Sequence, residues 1–217
     1  MLTARELYDK LLACYGTPRW WSDDPYEVMF EAVLVQNTNW NQVEKTRASI
    51  GDQFSPDWIA ALPQGELEQM IRPCGFFTSK ARTIMALTAW YSQYGYDPRR
   101  VREASSFQAR RELLSIRGVG EETADVILVY AFYIPSFIID AYTRRFLERM
   151  GLSFHDDEKI RAFFESGLPR DAVAYGQVHW LLLTHGMTHC RKSPNCFECP
   201  FLQDCAYSRE RESIRKD

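Results

Sequence analysis

Three groups of residues have types and spacings that could carry chemistry. The first is the turn Gly118-Val119-Gly120. Both glycines lack Cβ, so the backbone can turn sharply and let a ligand come close. Behind the turn, the apolar spacing of Val126, Ile127, Val129 and Tyr130 predicts a helix over 121–132. Glu121 and Glu122 fall in its first turn, where the helix dipole favours acids. Free N–H groups at such a start can hold a phosphate, although an ordinary helix–helix turn would read the same way. The second is Asp140, which follows an apolar run and precedes a helix carrying Arg144, Arg145 and Arg149. A carboxylate there can cap the helix. The helix start also favours its ionised form, which is what stabilising a developing cation or deprotonating a water requires. The third is Cys190-x5-Cys196-x2-Cys199-x5-Cys205. Four thiolates suit either a [4Fe–4S] cluster or zinc.

The elements that must position these groups read as helices throughout. An amphipathic helix over 2–15 places Leu7, Leu11, Leu12 and Tyr15 on one side and ends at Gly16. Asp24-Pro25 opens a helix over 26–36 that is apolar nearly all round, hence buried. Further helices are expected over 39–50, 57–62 (with Ser55 as N-cap and Pro56 at N1), 66–71, 79–94 and 107–115. After Asp140 a helix runs to about Met150 and Gly151, then others span 156–165 and 171–185, the last leading into the cysteines. No segment alternates with a period of two, so the fold class is all-α. The tail 209–217 is charged and is expected to fray.

Composition sets the outer bounds. An apolar content of 46% with 25% charged residues suits a globular chain with a sizeable core. No apolar run approaches the roughly 20 residues of a membrane span, and the N-terminus lacks the apolar centre of a signal peptide. A cytoplasmic protein without membrane contacts is expected, and a monomer, since no interface stripe stands out. The net charge of −3 argues against a uniformly basic nucleic-acid domain. It leaves room for local basic groups such as Lys80/Arg82, Arg99/Arg100/Arg102, Arg144/Arg145 and Arg191/Lys192. Cys14 and Cys74 are isolated and expected to be buried thiols, and Phe76 and Phe77 are expected in the core.

Leu-x-x-Ile-x-Gly-Val-Gly-x-x-Thr-Ala, followed by Ile139-Asp140 and the four cysteines, resembles the helix–hairpin–helix glycosylases of the endonuclease III superfamily. The likeness runs from about Tyr26 to Cys205. Three stretches resemble the 3-methyladenine DNA glycosylase III branch: Trp20-Trp21 with YEVMFEAVLVQNT, then IRPCGFFTSK, then GVGEETA. The resemblance implies two helical lobes with DNA across a cleft, one lobe over 22–132 and a discontinuous one over 1–21 plus 133–217. It implies a [4Fe–4S] cluster on Cys190, Cys196, Cys199 and Cys205 rather than zinc. The first cysteine gap is one residue shorter than the usual endonuclease III spacing.

For the reaction, the resemblance implies a base-excision-repair glycosylase acting on double-stranded DNA with a damaged base, and a nucleoid-associated prokaryotic protein. Asp140 matches the family's catalytic acid. Gly118, Val119, Gly120, Thr123 and Lys80 become the phosphate contacts, and Gln36 matches the residue that fills the gap left by a flipped base. Trp20, Trp21, Trp40 and Tyr142 are candidates to line the base pocket, since an electron-poor alkylated purine stacks well on indole. Bifunctional members carry a lysine four positions after the first glycine, where it forms a Schiff base. Here that position is Glu122, and no lysine lies between Lys80 and Lys159. A monofunctional glycosylase for alkylated purines of the 3-methyladenine type is expected, with weak or no strand cleavage. The alternatives are a glycosylase for mismatched uracil or thymine or oxidised pyrimidines, and a non-catalytic reader of damaged DNA.

Overall fold

The computed structural model describes residues 2–214. Its helices are α1 Ala4–Tyr15, α2 Pro25–Leu34, α3 Trp40–Ile50, α4 Pro56–Ala61, α5 Gln64–Met70, α6 Phe77–Ser92, α7 Pro98–Glu103, α8 Ser106–Ser115, α9 Glu121–Val126, α10 Ala141–Met150, α11 Asp157–Gly167, α12 Ala172–Thr188 and α13 Ala206–Ile214. Short 3-10 turns occupy Gly51–Gln53 and Arg72–Cys74, and a π-helical turn, Ile127–Ala131, continues α9. Among the described residues there is no strand, so the protein is all-α. The chain divides into two compact units, Met1–Arg19 with Phe137–Asp217, and Trp20–Ser136. Trp20, Trp21 and the segment 133–136 thus belong with the central stretch of sequence.

Local chemistry starts most of these helices. Thr3 caps α1 in a reciprocal box with Glu6. Asp24 and Pro25 start α2, Asn39 caps α3, and Ser55 with Pro56 starts α4. Asp156 and Asp171 accept the first-turn N–H groups of α11 and α12. Each such bond satisfies an amide that the helix itself leaves unpaired. Two helices go beyond the sequence expectations. α7 begins at Asp97-Pro98, the same cap-plus-proline signal as α2. α13 runs through most of the tail expected to fray, and 215–217 lie outside the described residues.

In the Trp20–Ser136 unit, α2 is the central post: Val28, Met29, Phe30, Val33 and Leu34 are all buried. Ile127 to Phe132 is buried as a continuous run. In the other unit, Leu7 and Leu11 of α1, Phe146 and Leu147 of α10, Phe164 of α11, and Tyr175, Val178, Leu181 and Leu182 of α12 close one core with Phe137 and Phe201. Three expectations about single side chains fail. Cys14 is exposed, because the apolar stripe of α1 leaves it on the outer face. Phe76 is 68% exposed and sits at a left-handed φ of 46° ahead of α6, so the expected core position is wrong, and Phe77 is only half-buried.

Candidate functional site

Asp140 is the N-cap of α10. Its Oδ1 accepts the Thr143 amide N–H at 2.7 Å, and the residue is almost fully buried. The cap thus fixes the orientation of this carboxylate. His179, from the middle of α12, brings Nε2 to 3.9 Å from Asp140 Oδ2. Burial pushes the His179 imidazole below its ordinary range, against the pull of the Asp140 charge. Sequence reasoning missed His179, since no local signal links it to an acid 39 positions away. Tyr142, two residues past Asp140, packs on α12 at Gly186, where a Cβ would lie 2.3 Å from the ring Cδ1. Arg145 covers the ring at 4.9 Å and donates to the Cys190 carbonyl.

The four cysteines line one cavity with Phe146, Arg149, Met150, His185, His189 and Phe201. Among the described residues no three His, Cys, Asp or Glu side chains converge as ligands of a single ion. The donor chemistry nonetheless suits a thiolate-bound group. Burial, with Cys196, Cys205 and Cys190 nearby, pushes the Cys199 thiol up to about 11, so thiolates gathered here need a cationic partner. Arg149 donates to Cys190 Sγ at 3.3 Å. His185, lowered to about 4 by burial, lies 3.9 Å from Cys199 Sγ through Nε2 and 2.9 Å from the Tyr15 hydroxyl through Nδ1.

In the Trp20–Ser136 unit the glycine turn is tightly specified. Gly118 has a φ of 97°, and a Cβ there would lie 2.1 Å from Thr83 Oγ1. Gly120 starts α9 with no side-chain cap and Val119 is buried. Gln36 donates through Nε2 to the Gly118 carbonyl at 3.1 Å and to Thr123 Oγ1 at 2.8 Å. The glutamine is thus tied to the hairpin, and the Thr123 hydroxyl is engaged. Lys80 is placed against expectation. It is buried, and its ammonium donates to the carbonyls of Leu34 at 2.9 Å and Cys74 at 2.7 Å. A lysine spent on two internal carbonyls does not present its charge to a phosphate, so it braces α6 against the end of α2. Asp125, buried in α9, takes both Nε and Nη2 of Arg110 at 2.8 and 3.1 Å.

The three tryptophans are brought together with two tyrosines. Trp20 stacks on Tyr133 at 5.0 Å and 15°, and donates to the Tyr130 carbonyl. Trp21 meets Trp40 edge-on at 5.3 Å and Tyr130 at 5.6 Å. Trp40 and Tyr133 are each 42% exposed, and Tyr133 holds a left-handed φ of 56°. Beneath them lies Glu31, a buried carboxylate that accepts the Trp21 indole N–H at 2.8 Å. Burial pushes its pKa up to about 7, against the Trp21 hydrogen bond and the Arg47 charge, while Glu27 adds to the rise. An acid inside a helix apolar nearly all round must find partners. That was a sequence signal for Glu31, whereas Tyr133 carried none.

Comparison with known proteins places these features in a family. Residues 30–170 match the HhH-GPD superfamily base excision DNA repair proteins. A protein of Methanocaldococcus jannaschii assigned as a DNA repair glycosylase is 36% identical over 207 residues, covering 92% of this chain and 94% of that one. A structure of a non-covalent endonuclease III–DNA complex superposes with a TM-score of 0.78 at 26% identity, over 98% of this chain and 100% of the other. The 3-methyladenine DNA glycosylase of H. pylori, bound to 1,N6-ethenoadenine, shares the fold with a TM-score of 0.73 at 24% identity, over 84% of this chain and 96% of the other. No described helix is long and apolar enough to cross a membrane. This chain belongs to the HhH-GPD superfamily of base excision DNA repair proteins.

Proposed function

We propose that this member of the superfamily is a monofunctional DNA glycosylase that hydrolyses the N-glycosidic bond of alkylated purines of the 3-methyladenine type in double-stranded DNA. The observation that carries the reading is the pairing of a buried, helix-capping carboxylate at Asp140 with a glutamate, Glu122, at the position of the bifunctional lysine. Glu122 stands exposed in the first turn of α9, where a bifunctional enzyme carries its lysine. Lys80, the last lysine before Lys159, is occupied by two carbonyls. Cleavage of the C1′–N bond leaves positive charge on the sugar. Asp140 stabilises that charge or takes a proton from the attacking water. Water rather than an enzyme amine then completes the reaction, and an abasic site remains.

The other roles follow the residue types. The Gly118-Val119-Gly120 turn with Thr123 receives a DNA phosphate. Gln36 fills the space left by the flipped nucleotide. Trp20, Trp21 and Trp40 supply the stacking surface for the base. Tyr142, packed on Gly186, supports the helix that Asp140 caps. Cys190, Cys196, Cys199 and Cys205 hold a [4Fe–4S] cluster, whose contribution when bound is to tie the C-terminal loop into the fold. The protein acts as a monomer on damaged DNA in the prokaryotic cytoplasm, at the nucleoid.

The test is base release from methylated DNA by wild type and Asp140→Asn, with strand breaks scored before and after alkali. Release of methylated purines by wild type alone, with breaks only after alkali, supports the reading. The likeness to endonuclease III favours a second reading, a glycosylase for oxidised or mismatched pyrimidines. Its signature is no release from methylated DNA, but release of pyrimidines that tracks the opposite base. Breaks without alkali would overturn the monofunctional assignment.

A further inference from the structure

The Trp20–Ser136 unit buries Glu31, the one acid among the otherwise apolar buried residues of α2. Glu31 sits on α2 with Oε2 on the Trp21 indole N–H at 2.8 Å, and Oε1 lies 3.6 Å from Arg47 Nε. Arg47 does not belong to Glu31 alone. Its Nη2 and Nε donate to Glu27 Oε1 at 2.9 and 3.3 Å, and its guanidinium lies 3.8 Å over Phe54. One cation is therefore shared by two carboxylates, and the trio keeps a net negative charge when both acids are ionised. That charge rests at the N–H edge of Trp21, whose ring meets Trp40 and Tyr130 edge-on.

A carboxylate on an indole N–H pushes electron density into the ring, and the face of an electron-rich indole attracts cations. The effect passes to any flat ring lying on the half-exposed Trp40 and Trp21. Capping and core packing do not account for the acid: α2 is capped by Asp24, and a leucine would fill the same space without a buried charge. We propose that Glu31 is a charge-selecting residue. Its carboxylate, held on the Trp21 indole, makes the aromatic group favour a cationic flat ring over the neutral ring of the same shape. This rests on the reading of the tryptophans as the base-stacking surface, and deepens it by naming cationic alkylpurines as the favoured class.

Several charged or titratable groups bear on Glu31. Glu27 shares its helix, Arg47 and Glu44 lie on α3, and Tyr130 closes the aromatic side. With its pKa near 7, the acid is charged at pH 8 and largely neutral at pH 5.5.

The test uses 1-methylnicotinamide, a flat ring with a permanent charge, and nicotinamide, its neutral counterpart. Binding to the whole protein is followed by the NMR shifts of the tryptophan indole N–H signals. Wild type at pH 8 should prefer the cation by several-fold to about tenfold. That preference should shrink at least threefold in Glu31→Gln, which keeps an acceptor for Trp21 and removes only the charge. It should also shrink in wild type at pH 5.5. Equal preference in wild type and Glu31→Gln, or no preference in wild type, overturns the proposal. If Glu31→Gln does not fold, the pH comparison on wild type decides alone. Cation preference without base release from methylated DNA would sink the proposed reaction and leave the role of Glu31 standing. Base release without cation preference would do the reverse.

Discussion

The two glycines of the Gly118-Val119-Gly120 turn should respond very unequally to the same substitution. At Gly118 a methyl group would be built on a backbone with φ of 97° and would lie 2.1 Å from Thr83 Oγ1. The backbone term alone costs about 1–2 kcal/mol for an L side chain. Thr83 cannot simply rotate away, because its one hydroxyl proton is shared between the Ser79 carbonyl at 3.0 Å and the Arg117 carbonyl at 2.9 Å. Moving it adds about 1–3 kcal/mol of overpacking and lost hydrogen bonding. Gly118→Ala should therefore destabilise by about 2–5 kcal/mol, which at this chain length is roughly 4–20 °C in melting temperature. Gly120 has a φ of −89°, and a Cβ there would meet nothing within 4 Å. Gly120→Ala should cost less than about 1 kcal/mol, the ordinary difference between these residues at a helix N-cap. Thermal unfolding by circular dichroism on the two variants and wild type measures both. The double variant Gly118→Ala/Thr83→Ala should be less destabilised than the two single changes added together, since it removes the clash. Equal losses at Gly118 and Gly120, or simple additivity in the double variant, would refute the argument.

Four further outcomes are expected. The Glu31 pKa is raised from 4.5 to about 7, so its folded state holds the proton more tightly than the unfolded chain. The associated stability is present below the ordinary value and lost as pH rises through 7. Glu31→Gln should gain on wild type by up to about 3 kcal/mol between pH 5 and pH 8, read from chemical denaturation at each pH. Lys80→Met should destabilise by about 1–3 kcal/mol by stranding two buried carbonyls, while the salt dependence of DNA binding stays unchanged because no phosphate contact is lost. Gly186→Ala should displace the Tyr142 ring, cost about 1–3 kcal/mol, and alter the near-ultraviolet circular dichroism of the tyrosines. Asp140→Asn should melt within about 1 kcal/mol of wild type, because asparagine caps a helix nearly as well as aspartate. A large drop in its melting temperature would make any loss of base release uninterpretable as chemistry.

What could be read from the sequence was what local chemistry decides. Asp24-Pro25, Asn39, Ser55-Pro56, Asp156 and Asp171 start helices where the sequence put them, because a capping side chain acts within three residues of itself. The glycine turn was legible for the same reason. What escaped was decided by contacts across the chain. Lys80 looks like a surface lysine in Thr78-Ser79-Lys80-Ala81-Arg82, and the carbonyls of Cys74 and of Leu34, the latter 46 positions away, turn it inward. Gln36 meets the hairpin across 82 positions, and His179 meets Asp140 across 39. Tyr133 joins the tryptophans with a backbone that turns left-handed two residues after the π-helical turn ends.

That π-helical turn, Ile127–Ala131, makes chain length itself a constraint. A π turn holds one residue more than the α turn it replaces, and each residue of a helix advances its side chains by about 100°. Deleting any one position between the glycine turn and Tyr130 would let the segment relax into regular α-helix. It would also swing Tyr130 a quarter turn or more away from Trp20 and Trp21. Substitutions in this buried run can be absorbed by repacking, but a change in the number of residues cannot. Insertions and deletions between the glycine turn and Tyr130 should therefore be far less tolerated than substitutions at the same positions.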